Sequence, residues 1–463
     1  MLPTKIVVIG AGSASFGLNT LGSLMRSQRL RGSQLALVDR NPQALELMRC
    51  LAERLNRDWG ARMRVTTHTH HREALPGAAF VVSAIEVPPR ERLWRKDYEL
   101  TLKYGVRQPY AENGGPGGFF HAARNIAPVL EIAHDMEQAC PDAWYVNFSN
   151  PMVRVCDAIH RYSKVKVIGL CHQIYEGYGM VGYLLAQRLG IEVPAGPFST
   201  HADPKYWVNV KKIVHQATQV IDIKAGGLNH FTWIMDVRDR RTGEDLYPYL
   251  AEAWAKVAPE VEPLTRRVYQ AFGIMPVPGD EHLCEYLPWV SDPSTRPWVK
   301  YDLSLYDWEA AETWRADGHR DIELMGSGKM DIESLKEADS EGALEVIEGI
   351  AGAGNLYHLA VNLPNTGQIS NLPTGAIIET PGVLSGMGAL PVALGALPEG
   401  AAELCRRELA VVRMAVDAAV SGDRQLALQC LLLDPVIRDL DMAREILDDY
   451  LETYKEYLPV FWK

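Results

Sequence analysis

No stretch of the 463 residues is apolar and long enough to span a bilayer, which argues against a membrane protein. Positive charge is short as well: 47 Lys and Arg stand against 58 Asp and Glu, a net charge of −11. Nucleic acid and anionic membrane surfaces are therefore poor partners. A disulfide framework is lacking too. The seven cysteines are odd in number and scattered, which fits a reduced, cytoplasmic compartment. The chain has no internal repeat, low-complexity tract or clear linker. Its first residues do not read as a secretory signal, because Lys5 runs at once into a strand and a glycine turn. What is present is ordinary globular composition, 47% hydrophobic and 23% charged. The length allows two or three domains and a large core.

The first 40 residues carry the clearest pattern. Lys5 to Ile9 reads as a strand, and Gly10-Ala11-Gly12-Ser13-Ala14-Ser15-Phe16-Gly17 follows it. A helical stretch from Leu18 to Arg29 comes next, then a strand from Gln34 to Val38 ending in Asp39. Strand, glycine turn, helix, strand, acid is the order of a dinucleotide site. Gly10 permits the tight turn. Gly12 lets the backbone approach a pyrophosphate at the helix N-terminus. Asp39 accepts from ribose hydroxyls, which favours NAD, while Arg40 beside it leaves room for NADP. Ser15 stands where the third fingerprint glycine belongs, and the alternative is a purely structural turn.

A second candidate centre lies at residues 165–172. Val165 to Leu170 is a short buried-strand pattern, with Cys171 and His172 at its carboxyl end. Ligands of open α/β sheets bind at such ends. Gly226-Gly227-Leu228-Asn229-His230-Phe231 closes a strand beginning at Val220 and brings a second imidazole. Cys171 with His230 suits Mn, Fe, Co, Ni or Zn rather than Mg or Ca. Two ligands are too few for a structural site and leave positions for substrate. The bland reading is a buried Cys and a satisfied core His.

Other segments complete the picture. Ala79 to Ile85 and Ala143 to Val146 are further strands. Asn147-Phe148-Ser149-Asn150-Pro151 follows the second, and its two amides suit hydroxyl or carboxamide ligands, or else a turn with a helix cap. Glu112-Asn113-Gly114-Gly115-Pro116-Gly117-Gly118 reads as an irregular loop feeding a helix from His121 to Ala139. His68, His70 and His71 suggest a polar edge more than a metal site. Gly279 to Tyr286 is dense in ionisable groups, with Asp280 as a proton-transfer candidate or a helix cap. Trp289 to Arg320 has little periodicity and is expected to line or cap a site, or to pack on another subunit. Ala343 to Ile350 is helical and Ala376 to Thr380 a strand. From Pro398 onward the chain reads as helices, broken at Asp434-Pro435.

Gly-Ala-Gly-Ser at 10–13, Asn-Phe-Ser-Asn-Pro at 147–151, Gly-Leu-Cys-His at 169–172, Gly-Leu-Asn-His at 227–230 and Asn-Leu-Pro-Asn-Thr-Gly at 362–367 occur in one order. Together they resemble glycoside hydrolase family 4, the NAD- and metal-dependent glycosidases. The likeness extends to Leu-Leu-Asp-Pro at 432–435. It implies an α/β protein: a Rossmann-like dinucleotide-binding domain over 1–195 and a mixed α+β domain over 196–463, in a lactate/malate dehydrogenase-like architecture. It implies NAD on Gly10, Gly12, Ser13 and Asp39. It implies a metal on Cys171 and His230, usually Mn²⁺, with Fe²⁺, Co²⁺ or Ni²⁺ as alternatives. Asn150, with Asn147 beside it, would contact substrate. A homodimer or homotetramer is also implied.

The chemistry this resemblance implies is not the two-carboxylate hydrolysis of most glycosidases. NAD⁺ takes a hydride from C3 of the sugar, the C2 proton becomes acidic, and the metal stabilises the enediolate. A base removes that proton, the glycosidic oxygen leaves C1, water adds, and the hydride returns. Asp280 and Tyr286 are the candidate bases; His172 and Glu112 are the candidate acids. Members acting on 6-phosphorylated glucosides tend to carry Asn or Asp after the metal Cys. His172 instead resembles members that use unphosphorylated α-glycosides, whether glucoside, galactoside or hexuronide. Gln173 departs from the Ser, Glu or Gly expected next, so the sugar stays open. The alternatives are an NAD-dependent hydroxy-acid dehydrogenase and a non-catalytic NAD-binding protein.

Overall fold

The structure is a computed structural model that describes residues 3–14, 16–108, 110–200, 204–352 and 354–463, with the side chains of 204–207 left aside. Ser15, the departure in the glycine fingerprint, lies outside the described residues.

Among the described residues, twelve strands form one sheet. The first six are β1 (Lys5–Ile9), β2 (Gln34–Val38), β3 (Arg64–His68), β4 (Phe80–Ser83), β5 (Trp144–Asn147) and β6 (Lys166–Gly169). They pair in parallel in the order β3-β2-β1-β4-β5-β6. Ile6 to Ile9 are buried, as expected of a strand covered on both faces. Helices Phe16–Arg26 and Pro42–Trp59 cover one side, and Gly115–Ala139 with Met152–Tyr162 the other. The strand order reverses between β1 and β4, which opens a crevice at their carboxyl ends.

The remaining strands are β7 (Ile221–Leu228), β8 (Phe231–Asp239), β9 (Met275–Pro276), β10 (Leu356–Pro364), β11 (Ile377–Ser385) and β12 (Gly388–Pro391). They are antiparallel and continue the same sheet across the expected division at 195. Two narrow junctions join the parts. Asn362 of β10 pairs with Gly169 of β6, and Glu379 of β11 pairs with Gly227 of β7. Cys171 and His230 each follow one of these junctions within three residues.

Two sequence expectations change. The glycine-rich run is not an irregular loop: a helix begins at Gly115 itself, with Pro116 in its first turn, and runs to Ala139. Pro is tolerated there because its missing N–H would have no intrahelical partner. The segment from Trp289 contains a long helix, Trp308–Gly326, capped by the Asp307 side chain on Ala310 N. The terminal helices fall at Glu399–Ser421, Arg424–Leu433 and Leu440–Thr453, with the break at Asp434.

Candidate active site

The cofactor end is built from the first turn of the sheet. Gly10 turns at φ 84°. Gly12 N donates to Asp39 Oδ2 at 2.8 Å, and Asn41 N donates to Asp39 Oδ1 at 2.8 Å. Asp39 is thus held at the end of β2 beside the turn, where a ribose would lie. Ser13 N donates to Gly10 O at 3.1 Å and keeps the turn tight. Close packing of helix on turn falls to a glycine two places beyond the fingerprint position. A Cβ on Gly17 would lie 2.2 Å from Ala11 O, so no other residue fits without a backbone shift. Gly17 was the signal that the spacing alone obscured.

Cys171 and His230 meet. Cys171 Sγ lies 3.4 Å from His230 Nε2. Metal–ligand bonds of about 2.3 and 2.1 Å would then subtend roughly 100°, a normal ligand angle. Burial pushes the Cys171 thiol well up, helped by the carboxylate of Glu341. A cation beside it reverses that balance and favours the thiolate. Burial, with the charges of His282 and His172, holds His230 well below its usual pKa, in the neutral form that ligates metal. The residues therefore fit a borderline divalent cation. His230 sits at φ 65°, in a turn that Asn229 anchors: its Nδ2 donates to Glu379 Oε2 at 2.8 Å.

Further groups converge on this pair. His282 stacks on His230 at 4.3 Å and on Tyr110 at 4.5 Å. Glu285, fully buried, accepts from Glu112 N at 2.7 Å and Asn113 N at 3.1 Å. It ties the start of the glycine-rich run to the segment 280–286. Glu112 in turn accepts from Asn150 Nδ2 at 3.3 Å and lies 3.6 Å from Arg90. Burial raises Glu112 above the usual carboxylate range. Burial also pushes Glu86 up, but Arg90 at 2.6 Å and His121 at 3.6 Å overcome it and hold its carboxyl at about 2. Asn150 Oδ1 is buried without a hydrogen-bond partner from the described residues, as suits a group facing a ligand hydroxyl.

His172 lines a cavity of about 130 Å³ together with Cys171, Tyr175, Asp339 and His358. Its Nδ1 lies 3.2 Å from Glu341, whose charge pushes the imidazole up to about 9. Tyr286 stacks on Phe231 at 4.7 Å and lines a narrow cleft with Asn113, Asn229, Arg154 and Glu408.

Two expected site residues are held by close hydrogen bonds. Asp280 accepts from Leu264 N at 2.9 Å and from Thr265 N and Oγ1, both at 2.7 Å. Both of its oxygens accept at the start of the helix Pro263–Phe272, a neighbouring helix rather than its own, and burial with the nearby Glu262 carboxylate pushes its carboxyl well up. Asn147 is fully buried, and its amide closes a turn: Nδ2 donates to Ser149 O at 3.0 Å, and Ser149 N donates back at 3.2 Å. In this arrangement its amide is engaged within the turn that carries Asn150. His71 proves structural. It groups with Glu131 and Asp135, but Arg72 pairs with both carboxylates, at 3.3 and 2.7 Å, in a surface ion cluster. Sequence reasoning did not single out Glu285, His282, Glu341 or Glu379 individually. Glu285 and His282 lay inside the ionisable cluster it noted.

A dinucleotide turn and a thiol–imidazole pair on the carboxyl side of one sheet define a cofactor- and metal-assisted α/β enzyme. Comparison with known proteins places it further. Residues 5–185 match the family 4 glycosyl hydrolases, and residues 225–437 match the family 4 glycosyl hydrolase C-terminal domain. The chain belongs to glycoside hydrolase family 4 and is a glycosidase. This sets aside the dehydrogenase and non-catalytic readings. It is 30% identical over 478 residues to an α-galactosidase of Rhizobium meliloti, covering 100% of this chain and 90% of that one. It is 29% identical over 505 residues to an α-glucosidase of Erwinia rhapontici, covering 99% of both. In fold it resembles a 6-phospho-α-glucosidase from gut microorganisms solved with NAD and Mn²⁺, with a TM-score of 0.77, 22% identity and 99% of each chain covered.

Proposed function

We propose that this chain hydrolyses unphosphorylated α-glycosides with bound NAD and a divalent cation, Mn²⁺ first among the candidates. The observation that carries the reading is the 3.4 Å Cys171–His230 pair, on the same side of the sheet as the Asp39-braced turn. Glycosidase names among the relatives support the reaction class. Together the bound groups supply hydride acceptance at C3 and charge stabilisation on the adjacent sugar oxygens. Cys171 and His230 hold the cation. Gly10, Gly12 and Ser13 bring backbone to the pyrophosphate, and Asp39 holds the ribose. Asn150 orients a sugar hydroxyl. Tyr286 and Asp280 are the candidate bases at C2. His172, kept protonated by Glu341, is the candidate acid toward the leaving oxygen, with Glu112 as the alternative.

The protein is further proposed to be cytoplasmic and to form a homodimer or homotetramer. Its seven cysteines are all free thiols, and no helix among the described residues is long and apolar enough to cross a membrane. Trp289, Val299 and Trp314 expose large apolar surface within one segment, which suits a subunit contact. Light scattering that finds a fully active monomer would refute the oligomer. The activity is tested with nitrophenyl α-glucoside, α-galactoside and α-glucuronide, supplied with NAD⁺, Mn²⁺ and thiol in D₂O. Turnover with deuterium at C2 of the released sugar is expected and names the glycone. No turnover on any of the three would refute the substrate class.

A further inference from the structure

Glu112 opens the glycine-rich run, and its backbone is fixed at both ends. Ala111, just before it, sits at φ 51°, a strained conformation for alanine that persists only where the surroundings hold it. Glu285 does much of that holding. It is fully buried in the short turn Cys284–Tyr286, and its Oε1 takes the N–H groups of Glu112 at 2.7 Å and Asn113 at 3.1 Å. His121 Nδ1 lies 3.2 Å from Glu112 O. The backbone of Glu285 is engaged as well. Gln108 Nε2 donates to Glu285 O at 3.0 Å, and a Cβ on Gly114 would lie 2.5 Å from that oxygen. The bare backbone at 114 lets the two segments close on each other.

The fixed backbone aims the Glu112 side chain. Its Oε2 accepts from Asn113 Nδ2 at 2.9 Å, and its Oε1 accepts from Asn150 Nδ2 at 3.3 Å. The Asn150 amide thus spends its NH₂ on Glu112 and turns its oxygen the other way. That Oδ1 is buried and has no hydrogen-bond partner from the described residues, while Asn125 Nδ2 holds the Asn150 carbonyl at 3.2 Å. A buried acceptor left open calls for a donor, and a sugar hydroxyl is one. On its far side, Glu285 Oε2 lies 3.7 Å from His282 Nδ1, and His282 stacks on His230 of the metal pair. Glu285 therefore stands between the metal pair and the sugar contact.

We propose that Glu285 is a positioning residue for the reaction: through the N–H groups of Glu112 and Asn113 it aims the Glu112 carboxyl at Asn150, and so presents Asn150 Oδ1 to a hydroxyl of the sugar. The proposal rests on the glycosidase reading in which Asn150 orients substrate. It adds a residue that acts on the sugar only through Glu112.

The test is a double-mutant cycle on the full chain, read with the nitrophenyl α-glycoside that wild type hydrolyses best. Glu285→Met, Glu112→Ala and the double variant are compared, and calorimetry gives the NAD⁺ dissociation constant of each. Glu285→Met removes the acceptor of both N–H groups, so kcat/KM should fall about tenfold or more, with KM carrying the loss. Glu285→Gln keeps an oxygen for both N–H groups and should stay within about threefold of wild type. NAD⁺ affinity should move less than about twofold in every variant, which also reports an intact fold. Because Glu285 acts through Glu112, the double variant should lie within about twofold of Glu112→Ala alone. Wild-type KM in Glu285→Met would overturn the proposal. So would losses that simply multiply in the double variant, which would leave Glu285 as a structural tie. If Glu285→Met also lost NAD⁺ binding, Glu285→Asp decides, since it keeps the acid and draws its oxygen back by one methylene: a raised KM with intact NAD⁺ binding supports the proposal, and a wild-type KM overturns it. No turnover by wild type on any of the glycosides would fell the glycosidase reading, and this proposal with it.

Discussion

Glu379 offers the sharpest test of how the metal pair is held. It is 1% exposed and sits where β11 meets β7, opposite Gly227 on one side and Asn362 on the other. Its Oε2 accepts from Asn229 Nδ2 at 2.8 Å and Asn362 Nδ2 at 2.9 Å. Its Oε1 lies 3.0 Å from Thr232 Oγ1, which also lies 2.8 Å from Leu228 O. One hydroxyl proton cannot serve both oxygens. A protonated Glu379 resolves the conflict by donating to Thr232 while Thr232 donates to Leu228 O. Burial pushes the Glu379 carboxyl up, in the direction this requires.

Glu379→Gln should mimic the protonated acid, with its NH₂ on Thr232 and its oxygen on the two amides. Glu379→Ala orphans two buried donors at about 1–3 kcal/mol each and removes a packed methylene, about 3–7 kcal/mol in all. That is a large share of an ordinary stability of about 5–15 kcal/mol. Urea unfolding is expected to show this loss for Ala and a change within about 1 kcal/mol for Gln. Mn²⁺ titration by electron paramagnetic resonance is expected to show weaker binding for Ala, because the turn of His230 loses its anchor. The pH dependence follows from the raised pKa. The native carboxyl keeps its proton longer than the unfolded one, so its contribution is complete below the unfolded value of about 4.3 and drains as pH rises toward the folded value. Gln cannot titrate. The variant should therefore gain on wild type as pH rises above about 4. An Ala variant within about 1 kcal/mol of wild type, with unchanged Mn²⁺ affinity, would refute the anchor. A Gln-to-wild-type gap that stays flat with pH would refute the protonated state.

Cys171→Ser exchanges a soft ligand for a hard, protonated one, so Mn²⁺ affinity should fall by more than about tenfold while NAD⁺ binding stays as in wild type. Loss of both would mean misfolding instead. Chelator with mild oxidant should abolish activity, and thiol plus Mn²⁺ should restore it; full activity in aged, chelated protein would sink the metal assignment. Gly17→Ala places a methyl 2.2 Å from Ala11 O and must displace the turn. NAD⁺ affinity should drop by about tenfold or more, and an unchanged dissociation constant by calorimetry would show that the turn tolerates it.

Five of the six parallel strands were legible because each is a short apolar run ended by a glycine, an acid or an Asn-Pro pair; β3, Arg-Val-Thr-Thr-His at the sheet edge, has no such run and was not read as a strand. β2 falls on the expected residues, and β6 lies within one residue of expectation at either end. The helix from Gly115 was not legible. Its first turn is glycine-rich, and local propensity argues against it. Glu285, more than 170 residues away, ties down the chain just ahead of it by taking the N–H groups of Glu112 and Asn113. The same distance problem explains the acids of 280–285. Sequence located the cluster, but which carboxylate caps a helix and which ties a loop depends on the N–H groups the fold aims at each. Asp280 receives those of Leu264 and Thr265, contacts that no spacing within 279–286 could give it.

The metal pair shows where the limit lies. Cys171 and His230 could be named because a thiol and an imidazole at strand ends have recognisable chemistry. Their spacing is set elsewhere. Each follows a sheet junction that rests on a single residue pair, Gly169 with Asn362 and Gly227 with Glu379. Both strand ends lack side chains at those pairs, so the polar groups that hold them come from β10 and β11: Asn362 Nδ2 lies 3.3 Å from Gly169 O, and Glu379 takes Asn229 beside His230. Sequence shows the ligands of such a site readily. Its anchors read as one buried acid and one turn asparagine, and only the pairing of distant strands gives them a role.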